Sequence, residues 1–265
     1  MSSSDAPLLV CKNLRVSVPG RLLVDHLDLA LSRGEFIAVL GRNGTGKTLS
    51  LLTLAGLRAP DTGEILLGTE NIASMRRQHI ARRLALLTQD TEDIFPATVM
   101  DTALIGRHPH LARLSWESAE DRKIAEASLV AAGISDLSQR DVLSLSGGER
   151  RRLAIAQVLT QAPDIYLLDE PTNHLDPQHQ LDALRIFRRA TEAGAGVIAS
   201  LHDVNLAARY ADRCLLLFGD GRWELGTAAE VLNESRLEKV YAMPMEAVDW
   251  RGGRLFVARG EPPPA

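Results

Sequence analysis

The feature that most constrains the fold is the segment GRNGTGKT at residues 41–48. An apolar run at residues 36–40 comes directly before it, and a helical pattern begins at Lys47 and ends near Ala55. Glycines permit close backbone approach, so successive N–H groups can point at phosphate oxygens while the beginning of a helix adds partial positive charge. The segment fits G-x-x-x-x-G-K-[ST], which requires a strand before it and a helix after it. We therefore predict a site for the phosphates of a nucleoside triphosphate.

All eight residues of this loop are predicted to contact the nucleotide: Gly41, Arg42, Asn43, Gly44, Thr45, Gly46, Lys47 and Thr48. The Lys47 ammonium would supply a full charge to the β and γ phosphates, and the Thr48 hydroxyl is placed for Mg²⁺.

Short apolar runs alternate with helical patterns along the chain, which is typical of a parallel sheet covered by helices. Four runs are nearly continuous in apolar residues, as expected for strands buried on both faces, at 36–40, 84–87, 165–168 and 197–199. Three other segments alternate apolar and polar residues and predict antiparallel or edge strands, at 8–28, 214–225 and 245–257. The predicted fold class is α/β, a mostly parallel sheet with helices and an additional antiparallel part.

Composition and charge exclude several classes of protein. The 265 residues are 45% hydrophobic and 24% charged, which is ordinary for a globular chain. A formal net charge of −4 gives no global attraction to nucleic acid, so we expect no nucleic-acid partner. Cys11 and Cys214 lie far apart, without the spacing of a disulfide framework or a zinc site. The chain carries no signal-peptide pattern and no apolar stretch near the roughly 20 residues of a membrane span, so we expect it in the cytosol.

A second motif is the pair of carboxylates Asp169 and Glu170, which follow the apolar run 165–168. Ligands of open α/β sheets bind at the carboxyl ends of the strands. Asp169 can hold Mg²⁺ through a water, as the acidic partner in phosphate-loop enzymes does. Glu170 can orient or deprotonate an attacking water.

Polar residues also follow the other two buried runs. Gln89 comes after the run at 84–87, and its amide oxygen can reach Mg²⁺ or the water. His202 comes after the run at 197–199 and can hydrogen-bond a γ-phosphate or transition-state oxygen. Four strand ends are therefore predicted to meet at one edge.

The last motif is LSGGE at residues 145–149, at the start of a predicted helix. Ser146 and Glu149 stand as a capping box, and Gly147 and Gly148 leave unobstructed amides in the first turn, a second anion site. The arginines at 150–152 are interpreted as charged residues on a solvent-exposed face of this helix, although Arg150 could also lie near phosphate. One chain cannot easily bring this helix end to its own phosphate loop.

These motifs, with NHLD at residues 173–176, resemble in order and spacing the ATP-binding cassette (ABC) ATPase subunits, from about residue 8 to residue 232. The resemblance implies hydrolysis of ATP with Mg²⁺, in a head-to-tail dimer. In that dimer, residues 146–148 of one copy would close over the γ-phosphate held by the loop of the other. The resemblance also implies four roles: Glu170 as the base for water, His202 as the γ-phosphate switch, Gln89 as the link from Mg²⁺ to a helical subdomain, and Asp176 as a contact across the dimer.

We predict three parts of the chain. Residues 1–90 and 151–232 form the nucleotide-binding α/β core with an N-terminal antiparallel β subdomain. Residues 91–150 form a helical subdomain that carries LSGGE. Residues 233–265 form a C-terminal extension whose tail, EPPPA at 261–265, is expected to be disordered.

Within the family, FPATV at 95–99 and GRHPH at 106–110 resemble the ATPases of importers for iron-siderophores, haem and vitamin B12. This second resemblance implies two membrane permease subunits, contacted by the cleft near Gln89 and the helical subdomain. It also implies a periplasmic or extracellular substrate-binding protein, and a peripheral position at the cytoplasmic face of the inner membrane.

Two other functions stay open. A soluble ABC protein acting on ribosomes or DNA usually carries two cassettes or a long coiled-coil insertion, whereas this chain has one cassette. A small phosphotransferase could use the same loop, but it needs neither residues 146–149 nor His202.

One position departs from the family. An aromatic ring usually stacks on adenine upstream of the phosphate loop, and the aligned residue in this chain is Val18. Stacking of a base on an aromatic side chain contributes roughly 1–3 kcal/mol. We therefore expect weaker base selectivity, or selectivity supplied by other side chains around Val18 and Arg21.

Overall fold

The computed structural model describes residues 6–89, 96–112, 115–251 and 253–260. Phe95 and the predicted disordered tail 261–265 lie outside these ranges. Within them the strands are β1 (Leu9–Val18), β2 (Arg21–Leu31), β3 (Phe36–Leu40), β4 (Thr62–Leu67), β5 (Glu70–Asn71), β6 (Leu84–Leu87), β7 (Ile165–Leu168), β8 (Gly196–Ser200), β9 (Arg213–Leu217), β10 (Trp223–Thr227), β11 (Met245–Trp250) and β12 (Gly253–Ala258). The helices are α1 (Lys47–Leu54), α2 (Arg77–Arg83), α3 (Val99–Leu104), α4 (Ala119–Ala131), α5 (Gly147–Thr160), α6 (Pro177–Glu192), α7 (Val204–Tyr210), α8 (Ala228–Val231) and α9 (Glu234–Tyr241). Short 3₁₀ helices lie at Ile72–Ser74, Ile105–His110, Ser135–Leu137 and Val142–Ser144.

The central sheet has the strand order β10-β9-β3-β8-β7-β6. Its strands are parallel except for β10, which pairs antiparallel with β9. Alternate residues of β3 enter two different cores, with Phe36, Ala38 and Leu40 on one face and Ile37 and Val39 on the other. Burial on both faces explains the unbroken apolar runs. The α/β fold class predicted from those runs is confirmed.

An antiparallel sheet of order β2-β1-β4-β5 shares one of these two cores with the central sheet. The alternating segment 8–28 thus forms antiparallel strands as predicted, and so does 245–257, whose strands β11 and β12 pair with each other. The prediction for 214–225 was partly wrong. Strand β10 is an antiparallel edge, but β9 is an inner strand parallel to β3, because residues 214–217 are buried on both faces.

A third core is built mainly from helices, with side chains from α3, α4 and α5. Helix α5 runs across residue 150, so the predicted boundary between residues 150 and 151 falls inside a helix whose Leu153 and Ala156 belong to this core. The division of the chain into domains stays a prediction. Within the described ranges, no helix has both the length and the hydropathy needed to cross a bilayer.

The carboxyl ends of the parallel strands are tied together by backbone hydrogen bonds. The N–H of Asp169 donates to the carbonyl of Leu87 at 2.8 Å, and the N–H of Leu201 donates to the carbonyl of Val39 at 3.0 Å. The segments that follow β3, β6, β7 and β8 therefore leave the sheet at one edge.

Candidate nucleotide-binding site

The phosphate loop connects β3 to α1 in a conformation that only glycine adopts easily. Gly44 and Gly46 have φ values of 76° and 106°, in the left-handed region. A Cβ at Gly41 would lie 2.5 Å from the Thr45 hydroxyl and 2.8 Å from the Leu217 carbonyl, so no side chain fits there. The spacing of the glycines thus meets a steric requirement of the turn.

Lys47 begins α1 and points back into the loop. Its ammonium donates to the carbonyls of Gly41 at 2.8 Å and Arg42 at 3.3 Å, and the residue is 5% exposed. Burial lowers the pKa of Lys47, while the nearby carboxylates of Glu170 and Asp169 oppose that shift. The loop therefore holds a largely desolvated cation where phosphate oxygens would lie.

Asp169 follows β7 and is 2% exposed. Its Oδ1 accepts a hydrogen bond from the Ser200 hydroxyl at 2.6 Å. Its Oδ2 is also buried and has no hydrogen-bond partner among the described residues. A buried carboxylate oxygen without a partner is costly, and carboxylate oxygens are hard ligands that suit Mg²⁺. The donor set at this strand end fits a divalent cation.

Glu170, the next residue, is held at both its backbone and its side chain. It has a φ of 49°, a left-handed conformation that is strained for a residue with a Cβ. Its N–H donates to the Ser200 hydroxyl at 2.9 Å, and its Oε1 lies 2.5 Å from Nε2 of His202. Its Oε2 accepts a hydrogen bond from the side-chain amide of Asn173. These bonds fix the direction of the carboxylate.

The strand ends line one cleft of about 580 Å³, whose walls include residues from each predicted strand end: Lys47, Thr48, Gln89, Glu170 and His202. The cleft is also lined by Val18 and Arg21. The Arg21 guanidinium is fixed there, since its Nε and Nη2 donate to the Gly219 carbonyl at 3.0 and 2.9 Å.

The remaining predicted residues lie outside this cleft. Ser146 is the N-cap of α5 and forms the predicted capping box with Glu149, while Gly147 and Gly148 form the first turn. Asp176 is exposed and is the N-cap of α6, where its carboxylate accepts from the N–H of His179 at 2.9 Å.

No role at the site was assigned from the sequence to Ser200, Arg151 or Asn173, although Asn173 belongs to the NHLD motif. Arg151 was assigned with its neighbours to a solvated face, which is wrong, because it is 2% exposed and its guanidinium donates to carbonyls at the ends of β6 and β7. Helical periodicity could have found it. Arg151 stands four residues before Ile155 and seven before Val158, on the buried stripe of α5.

Known proteins resemble the chain over most of its length. Residues 24–173 match the family model described as ABC transporter. The chain belongs to the ABC transporter family. It is 37% identical to the petrobactin import ATP-binding protein of Bacillus anthracis, over 89% of this chain and 86% of that protein. It is 42% identical to the hemin import ATP-binding protein of Deinococcus radiodurans, over 81% of this chain and 82% of that protein.

A solved inward-facing structure of a metal-chelate type ABC transporter superposes with a TM-score of 0.83 at 26% identity, over 97% of this chain and 98% of the other. Family membership confirms three sequence-based predictions: the phosphate-loop fold, ATP as the ligand, and ATP hydrolysis as the activity.

Proposed function

We propose that this chain is the ATP-hydrolysing subunit of an importer for a metal-chelate-type substrate, an iron-siderophore, haem or cobalamin, at the cytoplasmic face of the cell membrane. The observation that carries the ATPase site is the gathering of Lys47, Glu170 and His202 around one cleft, with the buried carboxylate of Asp169 close enough to act on the Lys47 ammonium. The names of the petrobactin and hemin relatives support the importer class. No observation favours a role on ribosomes or DNA.

In this proposal, residues 41–48 bind the triphosphate through their N–H groups. The Lys47 ammonium exchanges its bonds to the Gly41 and Arg42 carbonyls for bonds to phosphate oxygens. The Thr48 hydroxyl, Asp169 and Gln89 would hold Mg²⁺, and the buried Oδ2 of Asp169 supports this assignment. When bound, Mg²⁺ neutralises the charge that develops on the phosphates.

Glu170 acts as the general base for the attacking water. Its carboxylate is directed by Asn173 and His202, and a positioned base contributes roughly 10²–10⁴-fold to a rate. His202 bonds Glu170 in this structure, so its Nε2 must turn away from that carboxylate before it can contact a γ-phosphate. This exchange is what would make His202 a switch.

The active site is completed by a second copy of the chain in a head-to-tail dimer. Residues 146–148 and Asp176 lie outside the cleft that Glu170 lines, which leaves them for the site of a partner. The first turn of α5 presents N–H groups and a positive helix end to an anion, which in the dimer is the γ-phosphate of the other copy.

The two membrane permease subunits dock on the two copies of the chain, one on each copy, at a separate cleft of about 400 Å³. This cleft lies between the end of β6, the 3₁₀ helix Ile105–His110 and helix α5. Its lining includes Thr88, next to Gln89, and the apolar Ile105, which is 44% exposed. Contact between this cleft and Gln89 would let the permease sense the nucleotide. As part of an importer, the assembly would receive its cargo from a substrate-binding protein outside the membrane.

The test is Glu170→Gln in the full-length chain. Phosphate release is expected to fall by roughly 10²–10⁴-fold, because the amide cannot accept the proton of water. ATP binding is expected to persist, and size-exclusion chromatography with ATP should show a trapped dimer. Glu192→Gln, at the exposed end of α6, is the matched control. Near-normal hydrolysis by the Glu170 variant would overturn the assignment, and the membrane protein that co-purifies with the chain tests the importer class.

A further inference from the structure

Arg151 connects helix α5 to the catalytic edge of the central sheet. Its guanidinium donates hydrogen bonds to backbone carbonyls of two chain segments. Nη1 donates to Thr88 at 2.6 Å and Gln89 at 3.3 Å, and Nη2 donates to Asp169 at 2.6 Å and Glu170 at 2.7 Å. Nε is 3.4 Å from the carbonyl of Pro171. One side chain thus joins the segments after β6 and β7, both of which carry proposed site residues.

The chemistry of this contact requires arginine. The guanidinium is planar and carries five N–H donors in a rigid fork, so it can hold several carbonyls in fixed relative positions. Lysine would keep the charge but offers a single nitrogen on a flexible stem. A buried cation is costly unless its donors are satisfied, so these carbonyls and the guanidinium keep one another in place.

The backbone of Glu170 is the part of this edge whose conformation depends most on such hydrogen bonds. Its left-handed backbone, with φ 49°, persists only if the surrounding structure fixes it. Ser200 holds its N–H, while Arg151 and the N–H of Asn173 hold its carbonyl, the latter at 3.0 Å. Loss of the guanidinium would leave the Glu170 carbonyl with the Asn173 bond alone, so the peptide would be held less firmly and the carboxylate could turn.

We propose, resting on the function proposed above, that Arg151 is a positioning residue for ATP hydrolysis. It holds the backbone of Glu170 in the conformation that aims the general base, and it ties that backbone to Gln89. Helix α5, which follows the proposed γ-phosphate contact Ser146, is thereby hydrogen-bonded to the backbone of the residue that carries the catalytic carboxylate. Arg151 touches no reacting atom and acts through Glu170 and Gln89.

The first test is Arg151→Lys in the full-length chain, with Arg152→Lys as the matched control. Arg152 is the next residue of the same helix, and its guanidinium donates to the carbonyl of Gly133. A shift of about 1 Å in a catalytic group can cost on the order of 10²-fold in rate. We expect kcat of Arg151→Lys to fall at least about ten-fold while KM for ATP stays within about two-fold. The control should keep both constants.

A purely structural role predicts a different result. The melting temperature would fall, but kcat per folded protein would match that of Arg152→Lys, and this outcome would overturn the proposal. Arg151→Gln provides a second variant with fewer donors and no charge. If neither variant yields folded protein, Arg151 is a folding residue and the proposal is wrong.

A double-mutant cycle separates this proposal from the assignment of Glu170. If Arg151 acts by aiming that carboxylate, Arg151→Lys should lower kcat in the wild-type chain but change it less than about two-fold in Glu170→Gln. Equal fold losses in both backgrounds would refute positioning even if Glu170 is the base. Near-normal hydrolysis by Glu170→Gln alone would instead refute the proposed function.

Discussion

The hydroxyl of Ser200 joins Asp169 and Glu170, and its removal is expected to destabilise the fold. Ser200 is fully buried, donates to Asp169 Oδ1 at 2.6 Å and accepts from the N–H of Glu170 at 2.9 Å. In Ser200→Ala, Asp169 loses a charge-assisted bond when its Oδ2 already has no partner in the described part of the chain. That loss costs about 2 kcal/mol, and an unpaired buried N–H adds about 1–2 kcal/mol.

The expected decrease in the free energy of unfolding is therefore about 3 kcal/mol. Urea unfolding of the full-length chain without nucleotide or Mg²⁺ would measure this decrease. The midpoints of the wild type and the variant can be compared only if the free energy of unfolding falls with urea concentration at the same slope in both. Ser50→Ala is the matched control, because Ser50 is also buried but its hydroxyl has no partner among the residues that the structure describes. The free energy of unfolding of Ser50→Ala should stay within about 0.5 kcal/mol of the wild-type value. Equal losses in the two variants would show that the Ser200 bonds contribute nothing.

Three further predictions concern other parts of the molecule. Hydrogen bonds from Ser118, then from Arg107, hold the pKa of Asp121 at about 2, below its ordinary 3.8. This stabilisation is present above pH 3.8 and is lost as the pH falls towards 2. At pH 7 the free energy of unfolding of Asp121→Asn should therefore be about 1–2 kcal/mol below that of the wild type. In urea titrations this difference should vanish between pH 3.8 and pH 2. ATP and GTP should compete more evenly for the wild-type chain than for relatives that carry the aromatic ring, and a strong ATP preference in a competition titration would contradict this. Val18→Tyr should strengthen ATP binding by roughly 1–3 kcal/mol, because the ring can stack on the base, and an unchanged Kd would contradict this. Asn205→Ala removes the two bonds that join α7 to the Phe256 backbone in β12 and should speed limited proteolysis of the β11–β12 hairpin, whereas an unchanged cleavage rate would show that other contacts hold it.

Much of the fold could be predicted because its determinants are local. The apolar runs that form β3, β6, β7 and β8 are short, continuous and followed by polar residues. A strand that is buried on both faces requires apolar side chains at consecutive positions, so these runs identify the inner strands. Strand β9 was misassigned because a segment that mixes one inner strand with one edge strand shows an averaged pattern. Periodicity over 214–225 could not separate the two.

The site residues could be predicted where the structure of a motif is determined by residues close together in sequence. The glycine spacing of residues 41–48 follows from sterics within the loop, and the capping box at Ser146 follows from two residues three apart. Ser200 could not be found in this way, and helical periodicity places Arg151 on the buried stripe of α5 without identifying its partners. The partners of both residues lie 18 to 63 residues away in sequence. These partners come together only in the folded chain, where β6, β7 and β8 end near the beginning of α5.

Several polar groups of the cleft form hydrogen bonds with neighbouring protein groups. Lys47 bonds the carbonyls of its own loop, and His202 bonds the carboxylate of Glu170. Binding of ATP must therefore exchange these bonds for new ones, so the net gain from each is far smaller than its strength in isolation. Because exchange leaves little surplus, a tightly closed state needs donors that one chain does not bring to the cleft. In the proposed head-to-tail dimer, the first turn of α5 in a second copy would supply such donors, which is the physical reason to expect that closure depends on dimerisation.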